Sequence, residues 1–245
     1  MMIMDNQIKI ELIEFDCGFL AKKVGKIHFD PKIYHTPNFE IDCIAQIKNE
    51  NYSFCYITSE TSFNFNNFES FGGLDSYRAE LSDFKKILNN YLNIKCSGTY
   101  STFDERFWEE IERLLDYCWK TRFWKDSRIP RQQVIRHKMK SLMYYQKKFP
   151  DLFKVFIRDS KIQGFLCSYV DDNKLHLYEF VLNPAFVLPL SSVYLLNSLL
   201  LSKSLKNINF IETRIYEDNI KMINFCKKSG FNKFKREYFY HYWTN

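Results

Sequence analysis

Between residues 120 and 148 the chain carries ten Lys and Arg and a single acidic residue, Asp126. A run this basic attracts phosphate-bearing anions, although each charge taken alone is an ordinary solvated side chain. Within it, Arg122-Phe123-x-x-Asp126 sets a guanidinium one helical turn from a carboxylate. Arg122 can make a forked contact with a phosphate, or it can pair with Asp126 and fix a loop between two helices. Glu179, in the run from Leu175 to Leu182, is a carboxylate able to accept a proton, or else to face solvent or pair with a Lys. Cys226 stands among Met222, Ile223 and Phe225, either as a thiol able to give up a proton or as a small buried residue. Seven Cys without a C-x-x-C pair and five His without ligand spacing predict neither a metal site nor a disulfide framework.

These groups need elements to position them. Thr102-Phe103-Asp104-Glu105 has the form of a capping box, and Phe107, Trp108, Ile111, Leu114, Leu115, Cys118 and Trp119 follow at helical spacing. Pro130 suits the first turn of a second helix carrying Val134, Ile135, Met139, Leu142 and Met143. Residues 153–158, 164–170 and 175–182 read as strands, with Asp171-Asp172-Asn173 as a turn. An apolar helix is expected over 191–206, opening on the small hydroxyls of Ser191 and Ser192. A strand over 207–216 then leads to Asn219, a favoured N-cap, and a helix closed by Gly230 before a final strand over 234–243. The N-terminal third reads mostly as strands, over 8–13, 24–29 and 52–58. A faint echo at an offset of 157 residues matches Asn67, Phe68, Gly73 and Glu80 to Asn224, Phe225, Gly230 and Glu237, which predicts a helix, a glycine and a strand in both halves.

Composition favours a folded chain: 46% of residues are hydrophobic and 18% aromatic, while seven Gly and six Pro leave little for linkers. The start lacks a basic and then apolar leader pattern, and the most apolar stretch, 185–201, is short and interrupted by polar residues. A cytoplasmic protein with no membrane partner is expected.

The order from Phe103 onward, α-α-β-β-β-α-β-α-β, together with the C-terminal strand, Asn219-started helix, Gly230-Phe231 and strand, resembles the GNAT superfamily of acyl-CoA-dependent N-acyltransferases, less its first strand. Glu179-Phe180-Val181-Leu182-Asn183-Pro184 is similar to the pattern of that family's cofactor-pairing strand. The resemblance implies an α/β fold, a mixed twisted sheet flanked by helices, with an N-terminal β-rich, partial GNAT-like half over 1–99 and the acyltransferase domain over 100–245. It implies Glu179 as the base that frees the amine, and Cys226 at the position where many members place a proton-donating Tyr. Leu182 would polarise the thioester carbonyl through backbone N–H groups, and Ser191, Ser192 and Asn219 would complete the site for acetyl-CoA or another acyl-CoA. Members usually carry a glycine-rich turn after the Pro; here 185–193 holds no glycine.

Glu14-Phe15-Asp16-Cys17-Gly18-Phe19-Leu20 and the Arg122-Phe123-x-x-Asp126 block are similar to segments of TDP-fucosamine acetyltransferase-like enzymes. That likeness implies a nucleotide-linked amino sugar as acceptor, with Asp16, Arg122 and Asp126 as substrate-binding residues. A homodimer is compatible with it, and nucleic acid is not an expected partner. Two other readings stay open: a transferase using another donor such as aminoacyl-tRNA, whose RNA binding would be strongly salt dependent, and a GNAT-like domain that binds without catalysis.

Overall fold

The computed structural model describes residues 8–36, 38–91, 99–118, 120–185 and 191–244. In chain order its main elements are β1 (Ile8–Leu12), α1 (Glu14–Leu20), β2 (Val24–Phe29), α2 (Phe39–Asn49), β3 (Phe54–Ser59), β4 (Glu69–Glu80), α3 (Leu81–Asn89), β5 (Thr99–Thr102), α4 (Trp108–Leu114), α5 (Arg122–Lys125), α6 (Arg131–Lys148), β6 (Phe153–Arg158), β7 (Lys161–Asp171), β8 (Lys174–Leu182), α7 (Ser191–Leu200), β9 (Phe210–Tyr216), α8 (Ile220–Lys228) and β10 (Asn232–Trp243). The fold is α/β, a mixed sheet with helices. No described helix is long and apolar enough to cross a membrane.

Two compact units interleave along the chain. The first comprises Met1–Leu74, Thr121–His137 and Arg236–Asn245; the second comprises Asp75–Lys120 and Lys138–Lys235. A cut at 99/100 therefore passes through the second unit.

In the first unit the strands run β1-β2-β3-β10, with β1 antiparallel to β2, β2 parallel to β3, and β3 antiparallel to β10 from Ser59–Tyr238 to Phe54–Trp243. Helices α1 and α2 join these strands, so the N-terminal segment is less purely β than its sequence reads. The aromatics account for its core: Ile27, Ile47 and Ile57 are buried with Phe39, Phe63 and Tyr240. Tyr240 also accepts the Phe63 N–H through its hydroxyl at 2.7 Å, satisfying a buried loop donor.

In the second unit the order is β4-β9-β8-β7-β6-β5. Strand β5, antiparallel to β6, takes the place of the first strand that the sequence appeared to lack. Asp172 and Asn173 both adopt left-handed φ (44° and 59°), as a two-residue hairpin between β7 and β8 requires. The apolar helix α7 packs its Leu195, Leu196 and Leu199 with Phe156, Leu166, Leu175 and Ile211 of the strands. Asn219 caps α8 by accepting the Met222 N–H at 3.2 Å. Gly230 ends it at φ 80°, with the Phe231 N–H donating to Cys226 C=O at 2.9 Å.

The repeat implied by the 157-residue echo holds for its strands but not its helix. Gly73 to Glu80 lies in β4 and Asn232 to Glu237 in β10, yet Asn67 and Phe68 are in a loop whereas Asn224 and Phe225 lie in α8.

Candidate functional site

The second unit contains a forked pair of strands. The parallel register of β8 and β9 runs through Lys174–Phe210, Leu175–Ile211, His176–Glu212 and Leu177–Thr213. Among the described residues it ends there, although β8 continues to Leu182 and β9 to Tyr216. On its other edge β8 slips register against β7: Glu179 faces Cys167 and Leu177 faces Ser168, leaving Tyr178 as the extra residue of a bulge. A bulge bends its strand and increases the local twist, so β8 turns away from β9 where pairing stops.

Polar contacts from α6 hold the bulge. Lys138 forms an ion pair with Glu179, both side chains being mostly buried. Burial works against the Lys138 charge, but Glu179, with Tyr178 and Cys118, outweighs it and holds the ammonium above its ordinary range. Cys118 also hydrogen-bonds to Glu179, and Tyr178 to Ser141. Burial pushes both the Cys118 thiol and the Tyr178 hydroxyl up, so both are neutral, and the thiol donates to Glu179.

Beside the bulge, four strands each contribute one side chain to a lateral row. Arg78 on β4 donates to Glu212 on β9 at 2.6 Å. Glu212 presents its second oxygen to Nδ1 of His176 on β8 at 3.7 Å. His176 stacks on Tyr169 of β7, with centroids 4.6 Å apart and planes 11° apart, and Tyr169 stacks in turn on Tyr145 of α6 at 4.6 Å and 12°. Sequence reading singled out none of these residues, because the row exists only through strand register.

In the first unit, Asp16 is brought to the sequence-distant Arg122 through Tyr56, while Asp126 gathers a second set of donors. Tyr56 hydrogen-bonds to both Asp16 and Arg122, and Asp16 accepts from His137 at 3.2 Å. The Arg122 guanidinium lies 3.8 Å from the Tyr56 ring centre, 4.4 Å from Phe123 and 4.9 Å from Phe239. Asp126 accepts from His241 Nδ1 at 2.8 Å, from Trp243 Nε1 at 2.9 Å and from Arg128 Nε at 2.9 Å. Burial alone would raise its pKa, but these donors hold the carboxyl well below the usual carboxylate range. Burial pushes His241 down to about 4, and nearby Arg122 adds to that, so the imidazole is neutral with its proton on Nδ1.

No protein-family model and no curated protein match the chain in sequence. Solved structures match it in fold. A functionally unknown conserved protein from Staphylococcus epidermidis ATCC 12228 aligns over 98% of this chain and 92% of its own, with a TM-score of 0.64 at 11% identity. A GCN5-related N-acetyltransferase from Sphaerobacter thermophilus aligns over 96% of this chain and 75% of its own, with a TM-score of 0.61 at 9% identity. A tandem GNAT protein from the clavulanic acid biosynthesis pathway covers 89% of this chain and 74% of its own, with a TM-score of 0.56 at 10% identity. The chain has a GNAT fold.

Within that GNAT fold, the residues singled out from sequence have definite places. Glu179 adjoins the fork as half of a buried ion pair. Leu182 ends β8, half-buried, beyond the last β8–β9 pair. Ser191 is buried and Ser192 half-buried in the first turn of α7, while residues 186–190 of the glycine-free stretch lie outside the described residues. The Asn219 side-chain oxygen is engaged as the α8 cap. Cys226 is fully buried in the apolar core of the second unit, and burial pushes its thiol up to about 12. A thiol so placed packs, and does not meet a ligand at a strand edge.

Proposed function

We propose that the protein is an acyl-CoA-dependent N-acyltransferase acting on the amine of a nucleotide-linked amino sugar in the cytoplasm. The observation that carries this reading is the fork: β8 keeps one ladder while its other edge, from Tyr178 to Leu182, is unpaired by β9. An open edge of peptide N–H and C=O groups suits the amide-bearing arm of CoA, which would add to it as a short strand does. The Asn183 N–H donates to Gln163 C=O at 2.8 Å, on the β7 side. Strand alternation therefore turns the Leu182 N–H toward the open edge, where it can hold an amide of the co-substrate's arm. The amine attacks the thioester carbonyl directly, the C–N bond forms, and the thiolate leaves with a proton. Ser191 and Ser192, at the start of α7, would meet the phosphate end of the co-substrate.

The acceptor class follows from the likeness of the segment around Asp16 and of the Arg122-Phe123-x-x-Asp126 block to TDP-fucosamine acetyltransferase-like enzymes. The test is free-thiol release from acetyl-CoA with a panel of nucleotide-linked amino sugars and the same sugars without their nucleotide. Turnover with a nucleotide-linked amine, lost without the nucleotide, is the expected result. Bound acetyl-CoA with no turnover of any panel member would exclude this acceptor class.

A further inference from the structure

We propose that His176 is the proton acceptor for the amine at the β8–β9 fork, with Glu212 orienting it. The inference rests on the acyltransferase reading above and names the base of the same site. Glu179, the carboxylate at the bulge, already balances Lys138 and accepts from Cys118, so taking up a proton would leave the Lys138 ammonium buried and unpaired. His176 stands one residue pair before the end of the β8–β9 register and two residues before the bulge. Its side chain shares a face with Tyr178 and Glu179, since Tyr145 touches both Tyr169 and Tyr178. Its ring is held by the stack on Tyr169, and the Glu212 carboxylate lies 3.7 Å from Nδ1, an electrostatic contact longer than a hydrogen bond. Glu212 is held in turn by Arg78, which lies over the Phe234 ring at 4.5 Å. Among the described residues Nε2 makes no hydrogen bond, and the side chain keeps 20% exposure. The carboxylate near Nδ1 favours the tautomer with its proton there by charge alone, which leaves the Nε2 lone pair as the base.

Proton balance follows. An alkylammonium gives one proton to His176 Nε2, and the imidazolium is stabilised by Glu212. The free amine attacks the thioester carbonyl, the C–S bond breaks as the C–N bond forms, and the second amine proton ends on the departing thiol. His176 then releases its proton to solvent. The charged groups around the ring are Glu212 and Arg214 of β9, Asp171 of β7 and Lys174 of β8, and burial together with the two cations holds the imidazole below its ordinary value, hence neutral near pH 7.

The test combines nitrogen-15 NMR of the histidines with the thermal shift given by acetyl-CoA. Acetyl-CoA should stabilise the protein and move the His176 ring signals, which should show the Nδ1–H tautomer and titrate below 6.5. His176→Gln should keep the acetyl-CoA shift, lower kcat for thiol release about 100-fold or more, and abolish the acidic limb of the pH–rate profile. Tyr169→Phe keeps the row's ring stack and should keep the limb. Where no panel amine is turned over, slow hydrolysis of acetyl-CoA serves as the rate. Acetyl-CoA binding with unmoved His176 signals, or an acidic limb that survives His176→Gln, overturns this assignment and leaves the acyltransferase reading in place. Absence of acetyl-CoA binding overturns both.

Discussion

Lys138 of α6 and Glu179 of β8 form an ion pair beside the Tyr178 bulge, with only 13% and 12% of their side chains exposed. The pair ties a helix to the one irregular point of the central strand. Removing one partner leaves the other charge buried, so Lys138→Met should cost about 3–5 kcal/mol. Adding Glu179→Leu to that variant should recover a large part of the loss. Urea unfolding of the two single variants and the double variant measures the coupling, and simple additivity would mean the pair contributes nothing.

The neutral imidazole of His241 predicts how the first unit responds to acid. Its pKa is about 4 in the fold against 6.5 ordinarily, so the unfolded chain binds more protons between those values and stability falls as pH drops through the window. The full loss is about 3 kcal/mol. Asp126, depressed below its usual range, contributes with the same sign further down, its stabilisation being lost as pH falls below the ordinary carboxylate value. His241→Asn keeps a donor for Asp126 and removes the titration. Its urea midpoint should therefore be flatter between pH 6.5 and 4 than that of the parent, and identical slopes would contradict the burial argument.

Gly164 on β7 faces Leu182 across the ladder. A Cβ there would come within 2.5 Å of Leu182 Cδ2 and 2.8 Å of Val181 O, and the backbone oxygen cannot swing away. Gly164→Ala should cost about 1–3 kcal/mol and weaken acetyl-CoA binding by displacing the open edge of β8. Calorimetric titration with acetyl-CoA reads the second effect, and unchanged affinity would place the co-substrate elsewhere.

Cys226 offers a contrasting case. Because its thiol is buried among the core residues, Cys226→Ala should lower stability by about 1–2 kcal/mol and leave turnover per folded molecule within about twofold of the parent. A hundredfold loss of kcat with an intact thermal midpoint would restore the thiol as proton donor.

How far the sequence reaches is visible residue by residue. The Asn219 cap, the Gly230 exit and the Asp172-Asn173 turn were legible because each is a local preference of one side chain or one dihedral. Strands β6 and β8 were legible from composition and alternation. Helices α1 and α2 were not, because the short α1 contains Gly18 and α2 is weakly amphipathic amid strand-like neighbours. The polar network that joins Asp16 to Arg122 through Tyr56 was not legible, since no local pattern relates residues so far apart. The row Arg78-Glu212-His176-Tyr169 was invisible for the same reason, because register across neighbouring strands brings it together. A Lys partner for Glu179 was among the sequence alternatives, but that it is Lys138 follows only from the packing of α6.

The most direct test of the central claim is the thermal stability of the purified protein with and without acetyl-CoA. If the fork between β8 and β9 holds the co-substrate, acetyl-CoA at about 100 times its dissociation constant adds roughly 2.7 kcal/mol and the midpoint rises clearly. An unchanged midpoint at millimolar acetyl-CoA would contradict the account.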